Sequence, residues 1–348
     1  MRASTGNLRK DGSEMTEVKK ELENGFEYDE EGIRMSTPIE IARYKSERLK
    51  SDTIADIGCG IGVQAIHFSF NSRQVIAVER DNVRYEIAVR NANKSKANNI
   101  EFLKGDAFDP QIVKNVRGAD TIHSDPSRIK NGNSWSLEML SPNPLNILEE
   151  YDANAFSFDL PVHLKIENLP KEWEKEFISI KGEPKRISAY VGKSQKYDIS
   201  VITLPTKERI IRNSEIERKF SYSEDVKNYI YEIDQAIVLA GLIPEYLRNF
   251  KNIEPILFDS QRSFLTSDSM MADNFILNTY EILAKCEDIH DIKSKIKKLK
   301  IGKVIIRFSI PDNLYYDTRR ILERDAVGEN IGYIFKIGGL YYIGRKII

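Results

Sequence analysis

The chain has 348 residues, of which 41% are hydrophobic, and its 52 lysines and arginines nearly balance its 53 aspartates and glutamates. This length exceeds the size at which single cores usually stop growing, so we expect about two domains. The net charge of −1 excludes a globally basic nucleic-acid-binding protein, and any such contact must come from local clusters of charge.

Residues 1–34 are polar and mixed in charge, and we interpret them as a mobile leader or a surface helix. The amino terminus lacks the apolar core of a signal peptide, and no apolar run is long enough to span a membrane. The two cysteines, Cys59 and Cys286, are far apart and have no metal-ligand spacing, so no metal site is expected. These features predict a cytoplasmic protein without a membrane partner.

From Met35 onwards the sequence predicts helices and strands in alternation. The helix STPIEIARYKSERL opens with the helix-start signature Ser36, Thr37 and Pro38. After it we predict the strands TIADIG, QVIAVERD, IEFLKGDAF and GADTIHSDPS, with the helices VQAIHFSFN and NVRYEIAVRNANKSKA after the first two. This alternation predicts an α/β fold with a mostly parallel sheet, whose ligands bind at the carboxyl ends of the strands.

Past residue 150 the pattern becomes strand after strand, with AFSFDLPVHL, EFISIKG, RISAYVG and DISVITLP, so the sheet should end in an antiparallel hairpin. We expect a domain boundary at LPTKER, which gives a first domain over 35–205 and a smaller α+β domain over 206–348. In the second domain we predict, in order, the amphipathic helix EDVKNYIYEIDQAIVLAGL, the strand or short helix NFILNTYEILAK, the basic helix IHDIKSKIKKLK, the strand GKVIIRFSI, the helix NLYYDTRRILERDAVG and a terminal hairpin.

Three glycines, Gly58, Gly60 and Gly62, follow the first strand and are preceded by Asp56. A dinucleotide site would show G-x-G-x-x-G and place a pyrophosphate on the helix amino terminus, whereas the spacing here is G-x-G-x-G. A glycine-rich turn that serves only strand–helix packing is the alternative. Further acids, Glu79 and Asp106, end the second and third strands, and three acids at consecutive strand ends favour a bound nucleoside-like ligand.

The glycine loop with its acid resembles motif I of the class I S-adenosylmethionine-dependent methyltransferases, which have a Rossmann-like sheet. Gly105-Asp106-Ala107 resembles the third motif of that family. The resemblance implies that Asp56 faces the amino acid end of the cofactor, Glu79 the ribose hydroxyls and Asp106 the adenine amino group. MSTPIEIA is similar to a segment of the trimethylguanosine synthase group, which implies a cofactor contact for Thr37. The remaining predicted contacts are Gly58, Cys59, Gly60, Gly62, Arg80 and Ala107.

The fourth strand ends in Asp125-Pro126-Ser127-Arg128, which resembles the D/N-P-P-aromatic or D/N-P-P-R motif of methyltransferases that act on a planar nitrogen. A carboxylate and a prolyl carbonyl that accept the two amine hydrogens would aim the nitrogen lone pair at the methyl group. Ser127 departs from the usual second proline. Arg128 replaces the aromatic residue and would stack on a base, hold a phosphate or close the loop by a salt bridge. No cysteine follows the motif, which disfavours methylation at pyrimidine C5.

Five segments resemble methyltransferases with a carboxyl-terminal THUMP-like domain: SDPSR, SPNP, EFISIKGEPKR, LFDSQRSFLTSD and IKKLKIGKVIIR. The resemblance implies an RNA partner, such as tRNA or rRNA, with contacts along Lys293–Arg307; a solvated charged face is the alternative. Three functions stay open: an RNA methyltransferase acting on a base nitrogen, with guanine N2 as a candidate; a small-molecule methyltransferase with the second domain as a lid; and a catalytically silent, cofactor-dependent RNA binder. The oligomeric state is not predicted.

Overall fold

A computed structural model describes residues 25–129, 136–213, 223, 225–250, 254–256, 264–324 and 326–347. Its described residues fall into two compact units, which divide between 213 and 223. Most of the leader, 1–24, and part of LFDSQRSFLTSD, 257–263, lie outside the described residues. No helix in the described ranges is both long and apolar enough to cross a membrane.

The first unit alternates helices with strands. Its helices are α1 Glu30–Met35, α2 Ile39–Arg48, α3 Val63–Ser69, α4 Asn82–Lys94, α5 Pro110–Val116 and α6 Pro144–Glu150. Its strands are β1 Thr53–Ile57, β2 Gln74–Glu79, β3 Ile100–Lys104, β4 Thr121–Ser124, β5 Ser127–Arg128, β6 Leu140–Ser141, β7 Ala155–Leu160, β8 Glu174–Ile180, β9 Glu183–Gly192, β10 Ile199–Leu204 and β11 Glu208–Arg212.

Nine of these strands form one sheet in the order β11-β10-β8-β9-β7-β4-β1-β2-β3. From β3 to β7 all neighbours are parallel, whereas β9 runs antiparallel between β7 and β8. The α/β fold with a mostly parallel sheet and the antiparallel hairpin are therefore confirmed. The sheet extends past the boundary expected at 205, because β11 pairs with β10.

Apolar side chains of β1 and β2 explain why this sheet is buried. Ile54, Ala55, Val75 and Ala77 are inaccessible to solvent. All of them except Ala55 belong to the same core cluster as Phe68 of α3. Strands covered by helices on both faces carry continuous apolar runs, as in a parallel sheet of the doubly wound type. The turns that follow these strands are consequently the places where polar side chains collect.

The second unit contains a mixed sheet with its own apolar core. Its helices are α7 Gln235–Leu239, α8 Ile243–Leu247, α9 Ile289–Lys298 and α10 Asp312–Glu323. Its strands, β12 Tyr229–Ile233, β13 Glu254–Ile256, β14 Phe264–Ser267, β15 Ile276–Cys286, β16 Ile301–Ile306, β17 Asn330–Ile337 and β18 Leu340–Lys346, form a sheet in the order β13-β14-β12-β15-β18-β17-β16. The basic helix α9 and the terminal hairpin of β17 and β18 are confirmed.

The helix predicted over EDVKNYIYEIDQAIVLAGL is wrong in its first half. Tyr229–Ile233 is the strand β12, which pairs with β14 and β15. Its residues Tyr-Ile-Tyr favour a half-buried strand, and tertiary pairing overrides the helical periodicity. Asp234 then ends the strand, because its side chain accepts a hydrogen bond from the Ala236 amide and caps the short helix α7.

Candidate functional site

A cleft of about 230 Å³ opens at the carboxyl ends of β1, β2, β3 and β4 in the first unit. The sequence-predicted residues that line it are Thr37, Asp56, Gly58, Cys59, Gly60, Glu79, Arg80, Asp106, Ala107, Asp125, Pro126 and Ser127. Gly62 and Arg128 are not among its lining residues. The structure thus brings together residues that are up to 90 positions apart in the sequence, Thr37 and Ser127.

The glycine loop forms the floor of this cleft. Gly58 and Gly60 have φ angles of 83° and 58°, which residues other than glycine rarely adopt. A Cβ at Gly60 would meet no heavy atom within 4 Å, so this part of the backbone is open. The amides of Gly58 and Cys59 both donate to the Val78 carbonyl at 2.9 Å, which ties the loop to β2.

Gly62 has a packing role instead. It precedes α3, and a Cβ there would lie 3.1 Å from the Cβ of Ala88 on α4. This close approach accounts for the third glycine without any ligand. The predicted cofactor contact at Gly62 therefore has no geometric support.

Glu79 has two structural partners at the end of β2. Its carboxylate oxygens accept hydrogen bonds from the Gly60 and Asp81 amides, both at 2.8 Å. An ionised carboxylate offers about four acceptor positions, so two remain for hydroxyl donors of a ligand. Glu79 thus shapes the glycine loop and keeps acceptor capacity at the cleft.

Asp56 has one oxygen without a partner among the described residues. It is 2% exposed, and within that part of the chain Oδ2 makes no hydrogen bond. Burial and the nearby charge of Asp125 raise the pKa of Asp56. Because an unpaired buried acceptor is costly, this site favours a ligand that brings a cationic N–H donor.

Asp106 and Arg80 lie at the open side of the cleft. Asp106 accepts a hydrogen bond from the Phe108 amide at 3.0 Å, and its side chain is 56% exposed. The Arg80 guanidinium lies 3.7 Å from the other Asp106 oxygen and is also largely exposed. Tyr151 donates a hydrogen bond to the Ala107 carbonyl at 2.5 Å, which fixes the turn.

The loop after β4 presents Asp125 and Pro126 to the cleft. The Asp125 Oδ2 atom lies 3.0 Å from Arg186 Nη1 and 3.4 Å from Thr37 Oγ1. Ser127 pairs with Ser141 in the β5–β6 ribbon, and its hydroxyl donates to the Ser141 carbonyl at 3.3 Å. A serine in place of the usual proline therefore supplies a side-chain bond that closes the loop. Arg128 follows in β5 and is exposed.

Two other cleft residues, Cys59 and Thr37, differ in chemistry from the acids. The Cys59 thiol is buried, and burial raises its pKa well above the usual value, so it is poorly suited to act as a nucleophile. Thr37 is nearly inaccessible and directs its hydroxyl to Asp125. Its position at the start of α2 connects the amino-terminal segment to the loop after β4.

Part of the segment predicted as leader helps to form the cleft. Gly32, in α1, is one of the lining residues, as are Met35 and Ser36. Asp29 caps α1 by accepting from the Gly32 amide at 2.8 Å, and Arg84 on α4 forms an ion pair with Glu31. The acidic residues before Gly32 were the available signal, because they favour a helix start.

Sequence reasoning also missed buried polar residues behind Asp125. Arg186, Asp159 and Lys45 form a continuous set of ion pairs that ends at this carboxylate. The available signal was the position of polar residues in two strands: Asp159 lies between apolar neighbours in β7, and Arg186 ends the EPKR start of β9.

In the second unit, α9 carries the predicted basic residues. Lys297 and Lys298 are exposed, whereas Lys295 forms an ion pair with Asp291 at 2.8 Å. Arg307, at the end of the predicted basic run, is buried and forms an ion pair with Glu232. Arg307 therefore does not contribute to an exposed basic surface.

Comparison with solved structures identifies a match along nearly the whole chain. The crystal structure of a “putative methyltransferase from Porphyromonas gingivalis W83” aligns with a TM-score of 0.75 at 17% identity, over 92% of this chain and 83% of that chain. An RNA methyltransferase from Salinibacter ruber in complex with S-adenosyl-L-homocysteine aligns with a TM-score of only 0.33, at 13% identity, over 46% and 95% of the two chains.

Comparison with curated proteins gives a short match. “Probable ribosomal RNA small subunit methyltransferase A” from Methanosphaera stadtmanae is 37% identical over 64 residues, which are 18% of this chain and 24% of that protein. The chain thus matches about a quarter of the length of this relative. No family model matches the chain. The first unit has a Rossmann-like α/β fold, and the match to the Porphyromonas gingivalis protein extends over both units.

Proposed function

We propose that this protein is an S-adenosyl-L-methionine-dependent methyltransferase that modifies a base nitrogen in RNA. The observation that carries the proposal is one cleft, in a methyltransferase-type fold, that joins the acids Asp56, Glu79 and Asp106 to Asp125 and Pro126. The short similarity to a ribosomal RNA methyltransferase supports RNA as the substrate class.

The residues at the cleft fit this cofactor. S-adenosyl-L-methionine supplies an electrophilic methyl group on a sulfonium sulfur when it is bound. Asp56 Oδ2 is buried and has no partner in the described ranges, and it would accept a hydrogen bond from the ammonium group at the amino acid end of the cofactor. Glu79 retains acceptor positions for the two ribose hydroxyls, and Asp106, at the open side, would receive the adenine amino group.

Asp125 and Pro126 would bind the acceptor nitrogen. An exocyclic amine conjugated with its ring is a poor nucleophile, and hydrogen bonds from its two N–H groups to a carboxylate and a prolyl carbonyl orient its lone pair. The surplus proton would pass from the nitrogen to Asp125 and on to solvent. Guanine N2 is our specific hypothesis for this nitrogen, in keeping with the resemblance to the trimethylguanosine synthase group.

The RNA would enter as a flipped or unpaired base, because a reacting base atom is inaccessible inside a stacked helix. Arg128, exposed beside the cleft-lining Ser127, would stack on that base or hold a phosphate. We assign RNA binding to the second unit, as a THUMP-like domain, through Lys293, Lys297 and Lys298 of α9.

The function is tested by incubating purified protein with methyl-labelled cofactor and total cellular RNA, followed by nucleoside analysis. We expect label in a methylated base nitrogen and none after nuclease treatment of the substrate. Asp125→Ala should lose about 10²-fold or more in rate. Asp52→Ala is the matched control, because Asp52 is an exposed acid paired with Arg73. Wild-type rates for Asp125→Ala would refute the assignment of a base nitrogen, and label in small molecules alone would refute RNA.

The RNA-binding assignment has its own test. Lys297→Glu with Lys298→Glu should weaken RNA binding and lower its dependence on salt, since fewer counterions are released. The control pair is Lys336→Glu with Lys346→Glu, two exposed lysines on β17 and β18. Equal affinity losses for the two pairs would contradict a specific role for α9.

A further inference from the structure

A buried row of alternating charges leads from α2 to the loop that carries Asp125. Lys45 Nζ lies 2.7 Å from Asp159 Oδ1. Arg186 Nη1 lies 2.5 Å from Asp159 Oδ2 and 3.0 Å from Asp125 Oδ2. The side chains of Lys45 and Asp159 are fully buried, whereas that of Asp125 is 33% exposed. The row therefore connects the interior of the sheet with the cleft.

At the interior end of this row, the charged groups of Lys45 and Asp159 have several hydrogen-bond partners. Lys45 also donates to the hydroxyls of Ser157 and Ser188, at 2.7 and 3.2 Å, and Ser188 donates to Asp159 at 2.6 Å. Burial alone would raise the pKa of Asp159, but the charges of Lys45 and Arg186 outweigh it and hold this pKa below its usual range. A fixed, ionised Asp159 gives Arg186 an anchor that does not depend on the cleft.

At the cleft end, the two oxygens of Asp125 differ. Oδ2 takes both contacts, from Arg186 Nη1 and from Thr37 Oγ1. Within the described part of the chain, Oδ1 has no hydrogen-bond partner. The carboxylate is thus held at one oxygen while the other stays available to a substrate.

We propose that Arg186 is a positioning residue for methyl transfer, which keeps Asp125 ionised and leaves Asp125 Oδ1 to accept a hydrogen bond from the acceptor amine. A protonated Asp125 would offer a donor to the amine, whereas the amine needs an acceptor. This inference rests on the proposed function, because it assigns the orientation and charge of the carboxylate used there.

The charged and titratable groups around Asp125 come from five elements: Asp56 on β1, His123 on β4, Asp159 on β7, Arg186 on β9 and Lys45 on α2. Burial raises the pKa of Asp125, and the adjacent charge of Arg186 opposes this increase. Burial lowers the pKa of His123 to about 3, so His123 is neutral and contributes no charge near pH 7. Without Arg186, burial and the neighbouring carboxylates would raise the pKa of Asp125 further, so this carboxylate would become protonated at a higher pH.

The test compares methyl transfer to RNA by wild type, Arg186→Met and Arg186→Lys between pH 5 and pH 9. Arg186→Met should move the acidic limb of the rate profile upward by about one to three pH units, as expected when an opposite charge is removed. Its kcat at pH 7 should fall about tenfold or more, while KM for the cofactor changes less than about twofold. Arg186→Lys should return the acidic limb to its wild-type pH. Nη1 of Arg186 makes both contacts, to Asp125 and Asp159, and a lysine ammonium has three donors with which to replace them.

Each outcome decides a separate question. If Arg186→Met has the wild-type pH profile, the inference is overturned and the proposed function stands. A loss of kcat that is uniform across pH and is not restored by lysine indicates a structural role and also overturns it. If wild type itself transfers no methyl group to RNA, the proposed function fails first. Should Arg186→Met lose its fold by circular dichroism, Arg186→Gln replaces it under the same criteria, since its amide can still donate to Asp159.

Discussion

Replacing Glu79 with alanine should remove tight cofactor binding. Glu79 accepts from the Gly60 and Asp81 amides at 2.8 Å, and its remaining acceptor positions are the ones that we assign to two ribose hydroxyls. Alanine therefore removes both ligand contacts and also releases the amide that holds the glycine loop open.

The magnitude follows from the number of bonds to an ionised acceptor. Hydrogen bonds to charged groups contribute about 1.5–3 kcal/mol each, so two ribose contacts amount to about 3–6 kcal/mol. Since about 1.4 kcal/mol corresponds to a tenfold change, the dissociation constant should rise by about 10²- to 10⁴-fold. Displacement of the Gly60 amide would add to this loss.

Titration calorimetry with S-adenosyl-L-homocysteine measures the effect directly. Glu86→Ala is a suitable control, because Glu86 is an exposed glutamate on α4 and does not line the cleft. Circular dichroism without ligand checks that both variants are folded. A folded Glu79→Ala protein that binds within about twofold of wild type would show that this carboxylate does not hold the ribose.

Four further variants test other parts of the first unit. Gly62→Ala should lower thermal stability more than Gly60→Ala, because φ is positive at both positions but only a Cβ at position 62 would press on α4. A Cβ at Gly60 would project into the open cleft, so that variant should also weaken cofactor binding, and equal stability losses would contradict this distinction. Lys45→Met should cost about 3–5 kcal/mol in urea unfolding, because Asp159 would lose one of its two cations, and a loss below about 1 kcal/mol would refute the pairing. The pKa of His123 is lowered by burial to about 3, so between pH 6.5 and pH 3 the unfolded chain binds a proton that the folded protein does not, and stability falls as pH decreases. His123→Leu should remove on the order of 3 kcal/mol of that loss at pH 4, and an unchanged pH dependence would argue against it.

The meeting of three acids at one cleft could be predicted because its signals are local. Asp56, Glu79 and Asp106 each follow a strand directly, and parallel strands bring their carboxyl ends to one edge, so sequence order alone places them together. Gly62 belongs to the same short motif, but only the distance to Ala88 separates a packing glycine from a ligand-binding one.

The acceptor side depended on pairing that no local pattern encodes. Arg186 reaches Asp125 only because β9 inserts antiparallel between β7 and β8, which brings two residues 61 positions apart into contact. In the second unit, Tyr229–Ile233 has a helical period, yet its pairing with β15 makes it a strand. Long-range strand pairing therefore explains both the Arg186 contact that the sequence did not predict and the strand that was predicted as a helix.

The neutral row of Lys45, Asp159, Arg186 and Asp125 has a consequence for how this protein can change in evolution. Each interior member balances a neighbour that water cannot reach, so a single replacement leaves a buried charge unpaired, whereas a joint replacement by apolar residues can be tolerated. Lys45 and Asp159 should therefore vary together among descendants of this sequence. Arg186 and Asp125 should show a weaker coupling of the same kind, because Asp125 is partly exposed and water can replace its partner.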